Sequence, residues 1–105
     1  MKKKAFNKTI SVIAKHYGLD NQLNKLKEEL AEAHTACGRL SDSSFNSRAA
    51  KIDQLAEEIA DVEIMISQIK ILISGMPERI ERCKEYKLSR QMIRIREEAK
   101  GGGNK

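Results

Sequence analysis

Residues 57–73 read EEIADVEIMISQIKILI, and the change of pattern within this stretch decides the fold. Up to Val62, apolar residues recur on one side at helical spacing, whereas from Ile64 to Ile73 they surround the helix almost completely. A helix that is apolar on every side must be covered on every side. Three other short helices in a chain of 105 residues hardly provide that cover. We therefore predict that this helix also packs against another subunit.

The composition of the whole chain favours helices. Pro77 is the only proline, Trp is absent and aromatic residues make up 4% of the chain, while Lys, Glu, Ile, Leu and Ala dominate. The apolar spacing predicts helices over residues 5–17, 21–37, 48–74 and 78–99, with a loop at 39–47. Gly18 and Gly38 are expected to end the first two helices, and Asp20 to cap the second.

These elements predict one all-α domain over residues 1–99, a four-helix bundle completed by oligomerisation, followed by a disordered tail at 100–105. No run of about 18 apolar residues is present, so we expect no membrane span. The Met-Lys-Lys-Lys start is followed by neither an apolar h-region nor a cleavage site. We therefore expect a cytoplasmic protein in which Cys37 and Cys83 are free thiols, a disulfide being the alternative.

Two pairs of carboxylates lie on the two most clearly helical segments. They are Glu29 with Glu32, and Glu58 with Asp61. Residues three apart project from one face of a helix, so each pair can direct its oxygens at a common point. If the two helices pack side by side, the four carboxylates converge, which like charges tolerate only around cations. The alternative is a set of solvated surface acids paired locally with lysines.

The donor atoms of these pairs indicate the kind of metal. Di-iron bundles combine Glu with Glu-x-x-His pairs, but no His lies three residues after any of the four acids. His34 follows Glu32 by two residues and projects elsewhere. Oxygen ligands alone favour Mg²⁺, with Mn²⁺ as the second choice, over zinc or iron. Because Mg²⁺ held by few carboxylates usually completes its shell with water and substrate phosphates, the site predicts phosphate chemistry on a nucleotide.

Charge is segregated along the chain, although the net charge is only +5. Residues 1–27 carry seven Lys and one Asp, residues 28–63 carry nine acids and three bases, and residues 64–105 carry ten bases and five acids. An acidic middle between basic ends suggests a metal held by the middle and a polyanion held by the ends.

The acidic pairs and their flanking segments resemble a known family. Glu28-Glu29-x-x-Glu32, followed after twenty-five residues by Glu58-x-x-Asp61, matches the EExxE…ExxD signature of the MazG-like all-α nucleoside triphosphate pyrophosphohydrolases. The flanking segments 16–18, 22–23, 57–65 and 87–90 are similar to small phage or prophage members. The resemblance covers residues 10–95, and it is the presence of both half-motifs with their flanks that makes it specific.

The resemblance implies a reaction and a set of site residues. Family members cleave a nucleoside triphosphate between the α and β phosphates, releasing monophosphate and pyrophosphate. By position, Glu29, Glu32, Glu58 and Asp61 would bind Mg²⁺. Glu28 would be an outer-sphere ligand or only a surface acid. Members form dimers, often paired into tetramers, so a homodimer or homotetramer is expected.

The resemblance also implies contacts with the substrate. Lys87 and Arg90 match the basic motif on the family's last helix and would grip the phosphates, with a solvated basic face as the alternative. Lys84 is a weaker candidate on similar grounds. Gln22 opens the second helix near the site and is a candidate contact for the base.

A different class of function competes with this one. The basic ends of the chain could belong to a non-enzymatic helical module that binds nucleic acid or a partner protein. Interleaved acids and few aromatic residues argue against nucleic acid. Which base or sugar would be preferred is left open by the sequence.

Overall fold

The computed structural model describes the backbone of residues 1–102 and the side chains of these residues except that of Phe45. Four α-helices account for most of this part of the chain: α1 (Lys3–Tyr17), α2 (Leu19–Ser41), α3 (Arg48–Leu72) and α4 (Met76–Gly102). A short 3-10 helix, Phe45–Ser47, precedes α3. Residues 1–102 contain no strand, so the prediction of an all-α chain with four helices is confirmed.

Two turns depend on glycine in the left-handed region. Gly18 has φ 82° and its N–H bonds to the carbonyl of Ala14, which ends α1 as predicted. Gly75 has φ 77° and separates α3 from α4. Both angles are strained for residues with a Cβ. A residue with a side chain would therefore be disfavoured at these two positions.

The prediction for α2 was wrong at both ends. The helix begins at Leu19, so Asp20 lies in the first turn, where it makes no side-chain cap. It also continues through Gly38 to Ser41, because Gly38 has no positive φ and glycine permits a left-handed turn without imposing one. The helix ends instead where the backbone N–H and the hydroxyl of Ser43 both donate to the carbonyl of Leu40.

The first compact unit, Met1–Ser74, is built on the hairpin of α2 and α3. The two helices run antiparallel, since Gln22 near the start of α2 bonds Gln68 near the end of α3. Helix α1 packs mainly on α3 and also touches α2. The buried apolar residues join the three helices; they are Ile10, Ala14, Ala36, Met65 and Ile69. This small core fixes the register of α2 against α3.

The second unit begins at Gly75 and contains α4. This helix extends to Gly102, so residues 100–102 are helical although they were predicted to belong to the tail; residues 103–105 lie outside the described part of the chain. The single domain over residues 1–99 stays a prediction. No helix within residues 1–102 is both long and apolar enough to cross a membrane.

Candidate metal centre

The four carboxylates predicted to converge do so on the facing sides of α2 and α3. One oxygen from each of Glu29, Glu32, Glu58 and Asp61 lies within 4.8 Å of the other three. Each helix contributes two acids about one turn apart, and antiparallel packing places the two pairs opposite each other. The convergence predicted from the spacing is thus confirmed, and the cluster can hold a metal ion.

Burial within this acidic cluster is unequal. Glu29 is only 6% exposed and Glu58 is half-buried, whereas Glu32 and Asp61 are exposed. In the described part of the chain, the buried Oε2 atoms of Glu29 and Glu58 have no hydrogen-bond partner. A buried carboxylate oxygen without a donor is costly unless a cation neutralises it. Two such oxygens on opposite helices therefore point to a cation between them.

Lys25 forms ion pairs with two neighbouring acids on α2. Its Nζ lies 3.2 Å from Oε1 of Glu29 and 3.5 Å from Oε2 of Glu28. Hydrogen bonding and charge from Glu29 raise the pKa of Lys25, so the ammonium form is favoured. Burial raises the pKa of the Glu29 carboxyl, Lys25 opposes that rise, and the nearby charges of Glu32 and Asp61 add to it. The local lysine thus only partly balances the cluster.

Glu28 occupies a different position from the other acids of the motif. Its side chain is 65% exposed, pairs with Lys25, and is not one of the four that converge. The structure therefore places Glu28 outside the converging carboxylates, and its role as an outer-sphere ligand or a surface acid stays a prediction.

A cavity of about 620 Å³ lies among α1, α2 and α3 towards the start of α2; Lys25 and Glu28 line it, whereas the four converging acids do not. Tyr17 of α1, Gln22 and Lys25 of α2, and Gln68 of α3 all line it. Gln22 Nε2 donates to Gln68 Oε1 at 2.6 Å, and both amides are almost fully buried. The structure therefore places the predicted residue Gln22 at a cavity that it shares with Lys25, the partner of Glu29. Gln68 was missed, although a polar residue within an otherwise apolar stretch of α3 was a usable signal.

A smaller cavity of about 280 Å³ adjoins the cluster on its other side. Glu32 and Glu58 of the cluster line it, together with Thr35 and Arg39 of α2 and Gln54 of α3. Arg39 was not identified from the sequence, where it stood in a predicted loop. It lies on α2 because the helix runs past Gly38.

The three basic residues predicted to bind phosphate lie on α4, in the second unit. Lys84 Nζ pairs with Glu81 Oε1 at 3.4 Å, and the Arg90 guanidinium lies 5.6 Å from the centre of the Tyr86 ring. Lys87 and Arg90 also line a surface cavity of about 230 Å³ together with Arg94. Their participation in a site with the carboxylates stays a prediction.

Comparison of the chain with protein-family models, with curated proteins and with solved structures finds no match in any of the three. The family resemblance therefore depends on the motif residues and their flanking segments alone. The acidic cluster and its two cavities are the features from which a function can be argued.

Proposed function

We propose that this chain is a Mg²⁺-dependent nucleoside triphosphate pyrophosphohydrolase of the MazG-like kind, which cleaves the α–β phosphoanhydride bond to give a nucleoside monophosphate and pyrophosphate. Its main support is the convergence of four carboxylates from α2 and α3 within 4.8 Å. The EExxE…ExxD spacing of these four residues together with Glu28 is the second support.

The residues fit a hard divalent cation. All four donors are carboxylate oxygens, the ligands that Mg²⁺ and Mn²⁺ prefer. Such an ion would also offset the cost of burying the Oε2 atoms of Glu29 and Glu58 without a hydrogen-bond partner among the described residues. Glu29, Glu32, Glu58 and Asp61 would hold it. The chemistry that bound Mg²⁺ supplies is neutralisation of phosphate charge and a lower pKa for a bound water.

The remaining residues of the site have separate tasks in this proposal. Lys25 holds Glu29 in place and keeps Glu28 beside it through the two ion pairs. Gln22 and Gln68 present buried amides at the cavity of about 620 Å³, which suits the nucleoside part of the substrate because amides can hydrogen-bond a base edge. Phosphate binding by Lys87, Arg90 and Lys84 is carried over from the family resemblance.

We further propose that the active form is a homodimer or a homotetramer. On α3, Ile52, Ile59 and Ile66 recur every seven residues and are 49%, 43% and 37% exposed. On α2, Leu23 and Leu30 show the same interval and are also exposed. Apolar residues at this interval form the seams of helical bundles. Two α2–α3 hairpins joined along such seams would give the four-helix core expected from the apolar half of α3.

A panel of nucleotides tests the activity. The protein is incubated with Mg²⁺ and each common NTP and dNTP, and the products are separated by ion-exchange chromatography. Monophosphate and pyrophosphate are expected, and Glu58→Gln or Asp61→Asn should abolish both. Asp53→Asn is the matched control, since it removes an exposed carboxylate from the same helix outside the cluster. Failure of the wild type to turn over any nucleotide would contradict the enzymatic proposal.

The second candidate is a non-enzymatic module that binds nucleic acid or protein through α4. The cationic cavity of Lys87, Arg90 and Arg94 favours it. Salt-sensitive DNA binding that Glu58→Gln and Asp61→Asn leave unchanged would support this candidate over the enzyme.

A further inference from the structure

The two cavities beside the acidic cluster lie on opposite sides of it along the α2–α3 hairpin. On α2, Gln22 precedes Glu29 by seven residues and Arg39 comes seven residues after Glu32. Seven residues are about two helical turns, or roughly 10 Å, and at about 100° per residue the four side chains fall within an arc of roughly 100° on α2. The cluster therefore stands midway between an amide-lined cavity and one that contains an arginine.

Arg39 lines the smaller cavity, and within residues 1–102 its guanidinium has unused hydrogen-bond donors. Among the described residues, Arg39 makes no ion pair, although Glu32, Glu57 and Glu58 line the same cavity. The Gln54 side-chain amide makes no hydrogen bond within this part of the chain either. By contrast, the Thr35 hydroxyl already donates to the carbonyl of Ala31 at 3.1 Å. The free donors at the cavity are thus the Arg39 guanidinium and the Gln54 amide.

We propose that this smaller cavity binds the β and γ phosphates of the substrate, and then pyrophosphate, with Arg39 as a substrate-binding residue that the motif does not contain. The inference rests on the proposed function. Guanidinium is the side-chain group that best matches phosphate oxygens, because its planar donors form paired, charge-assisted hydrogen bonds. With the nucleoside in the opposite cavity, the α–β bond lies at the carboxylates, where water cleaves it and pyrophosphate leaves on the Arg39 side.

Because acidic residues line the smaller cavity, phosphate binding there depends on a divalent cation. Glu32 and Glu58 belong to the cluster, and Glu57 adds a third carboxylate, so the cavity repels a bare polyanion. A divalent cation at the cluster reduces the negative charge around Glu32 and Glu58, and Arg39 adds a positive charge at the same cavity. Pyrophosphate should therefore bind to the protein in the presence of Mg²⁺ and should not bind when EDTA replaces Mg²⁺.

Calorimetric titration with inorganic pyrophosphate tests the inference directly. Wild-type protein in Mg²⁺ should bind it, and Arg39→Gln should weaken the affinity by about tenfold or more, as expected for the loss of a charge-assisted hydrogen bond. Arg39→Lys should fall between the two, because it keeps the charge and loses the planar fork. Arg48→Gln, an exposed arginine at the start of α3, should bind like the wild type.

The same variants separate the inference from the proposed function. In turnover assays, Arg39→Gln should lose inhibition by pyrophosphate about tenfold while keeping inhibition by the nucleoside monophosphate. Equal pyrophosphate affinity in wild type and Arg39→Gln, or no binding to the wild type in Mg²⁺, overturns the inference even if the enzyme is active. Absence of turnover with normal, Arg39-dependent pyrophosphate binding overturns the enzymatic proposal and leaves the phosphate site standing. Gln54→Leu, expected to weaken binding less, is a second variant should Arg39→Gln fold poorly.

Discussion

Lys25 Nζ lies 3.2 Å from Oε1 of Glu29, the most buried acid of the cluster, while the other oxygen of that carboxylate has no partner in the described part of the chain. One oxygen of this carboxylate is therefore satisfied from its own helix, and the other is buried without a donor among the described residues. This division leaves a buried oxygen that a bound cation could neutralise. A fixed lysine balances part of the charge, and a divalent cation would offset two more of the negative charges.

Mg²⁺ should raise the thermal stability of the protein. A ligand that binds only the folded state stabilises it by about 2.7 kcal/mol at a concentration 100 times its Kd, which corresponds to several degrees in Tm for a domain of this size. Calorimetry with and without Mg²⁺ measures the effect. Asp61→Asn should show little increase, whereas Asp53→Asn should respond like the wild type; an equal increase in all three proteins would indicate binding elsewhere.

Replacing Glu29 by Gln should make the metal-free protein more stable at neutral pH. Burial raises the pKa of Glu29 in the folded state, so the folded state binds a proton more tightly than the unfolded state. At pH values above the folded-state pKa, the free energy of unfolding is therefore reduced. This loss of stability disappears as the pH falls from the folded-state pKa to below the unfolded-state pKa. Glu29→Gln carries no such charge, and it should also lose the stabilisation by Mg²⁺.

Urea unfolding of both proteins across a pH series, in EDTA, checks this linkage. The difference in unfolding free energy between Glu29→Gln and the wild type should be largest near pH 7 and should shrink on acidification. A wild type that is more stable than Glu29→Gln at pH 7 without metal would show that the Lys25 ion pair outweighs the cost of burial.

Removing one member of the Gln22–Gln68 pair should destabilise the first unit. Gln68 is 2% exposed and accepts a hydrogen bond of 2.6 Å from Gln22. Gln68→Leu leaves the Gln22 amide buried without that partner, which costs about 1–3 kcal/mol. The double variant Gln22→Leu/Gln68→Leu should recover much of this loss, because both polar groups are then gone. A double-mutant cycle by urea unfolding measures the coupling, and additive effects would argue against it.

The sequence predicts the helices and the acidic cluster because both depend on local spacing. Helical periodicity alone places Glu29 beside Glu32 and Glu58 beside Asp61. The packing of α2 against α3 then brings the two pairs together. Arg39 and Gln68 could not be placed in the same way, since their roles depend on the register of α2 against α3. That register is set by buried contacts such as those of Ala36 and Met65, which no local pattern encodes. The prediction that Gly38 ends α2 failed for a related reason. A glycine ends a helix only where the residues after it make capping contacts in the fold.

Charged residues on the apolar seam of α3 should separate the subunits and remove activity. Ile52 and Ile66 are 49% and 37% exposed in the single chain, so Ile52→Lys or Ile66→Lys costs little there, whereas in a bundle seam each would bury an ammonium group. The dimer Kd should rise at least about tenfold, the equivalent of 1.4 kcal/mol. Sedimentation velocity over a dilution series, run alongside activity assays, compares assembly with turnover. Val12→Lys on α1 is the control, since Val12 is 61% exposed and lies on neither seam. Full activity in a stable monomer would refute the oligomeric site, because the carboxylates would then need nothing from a second copy.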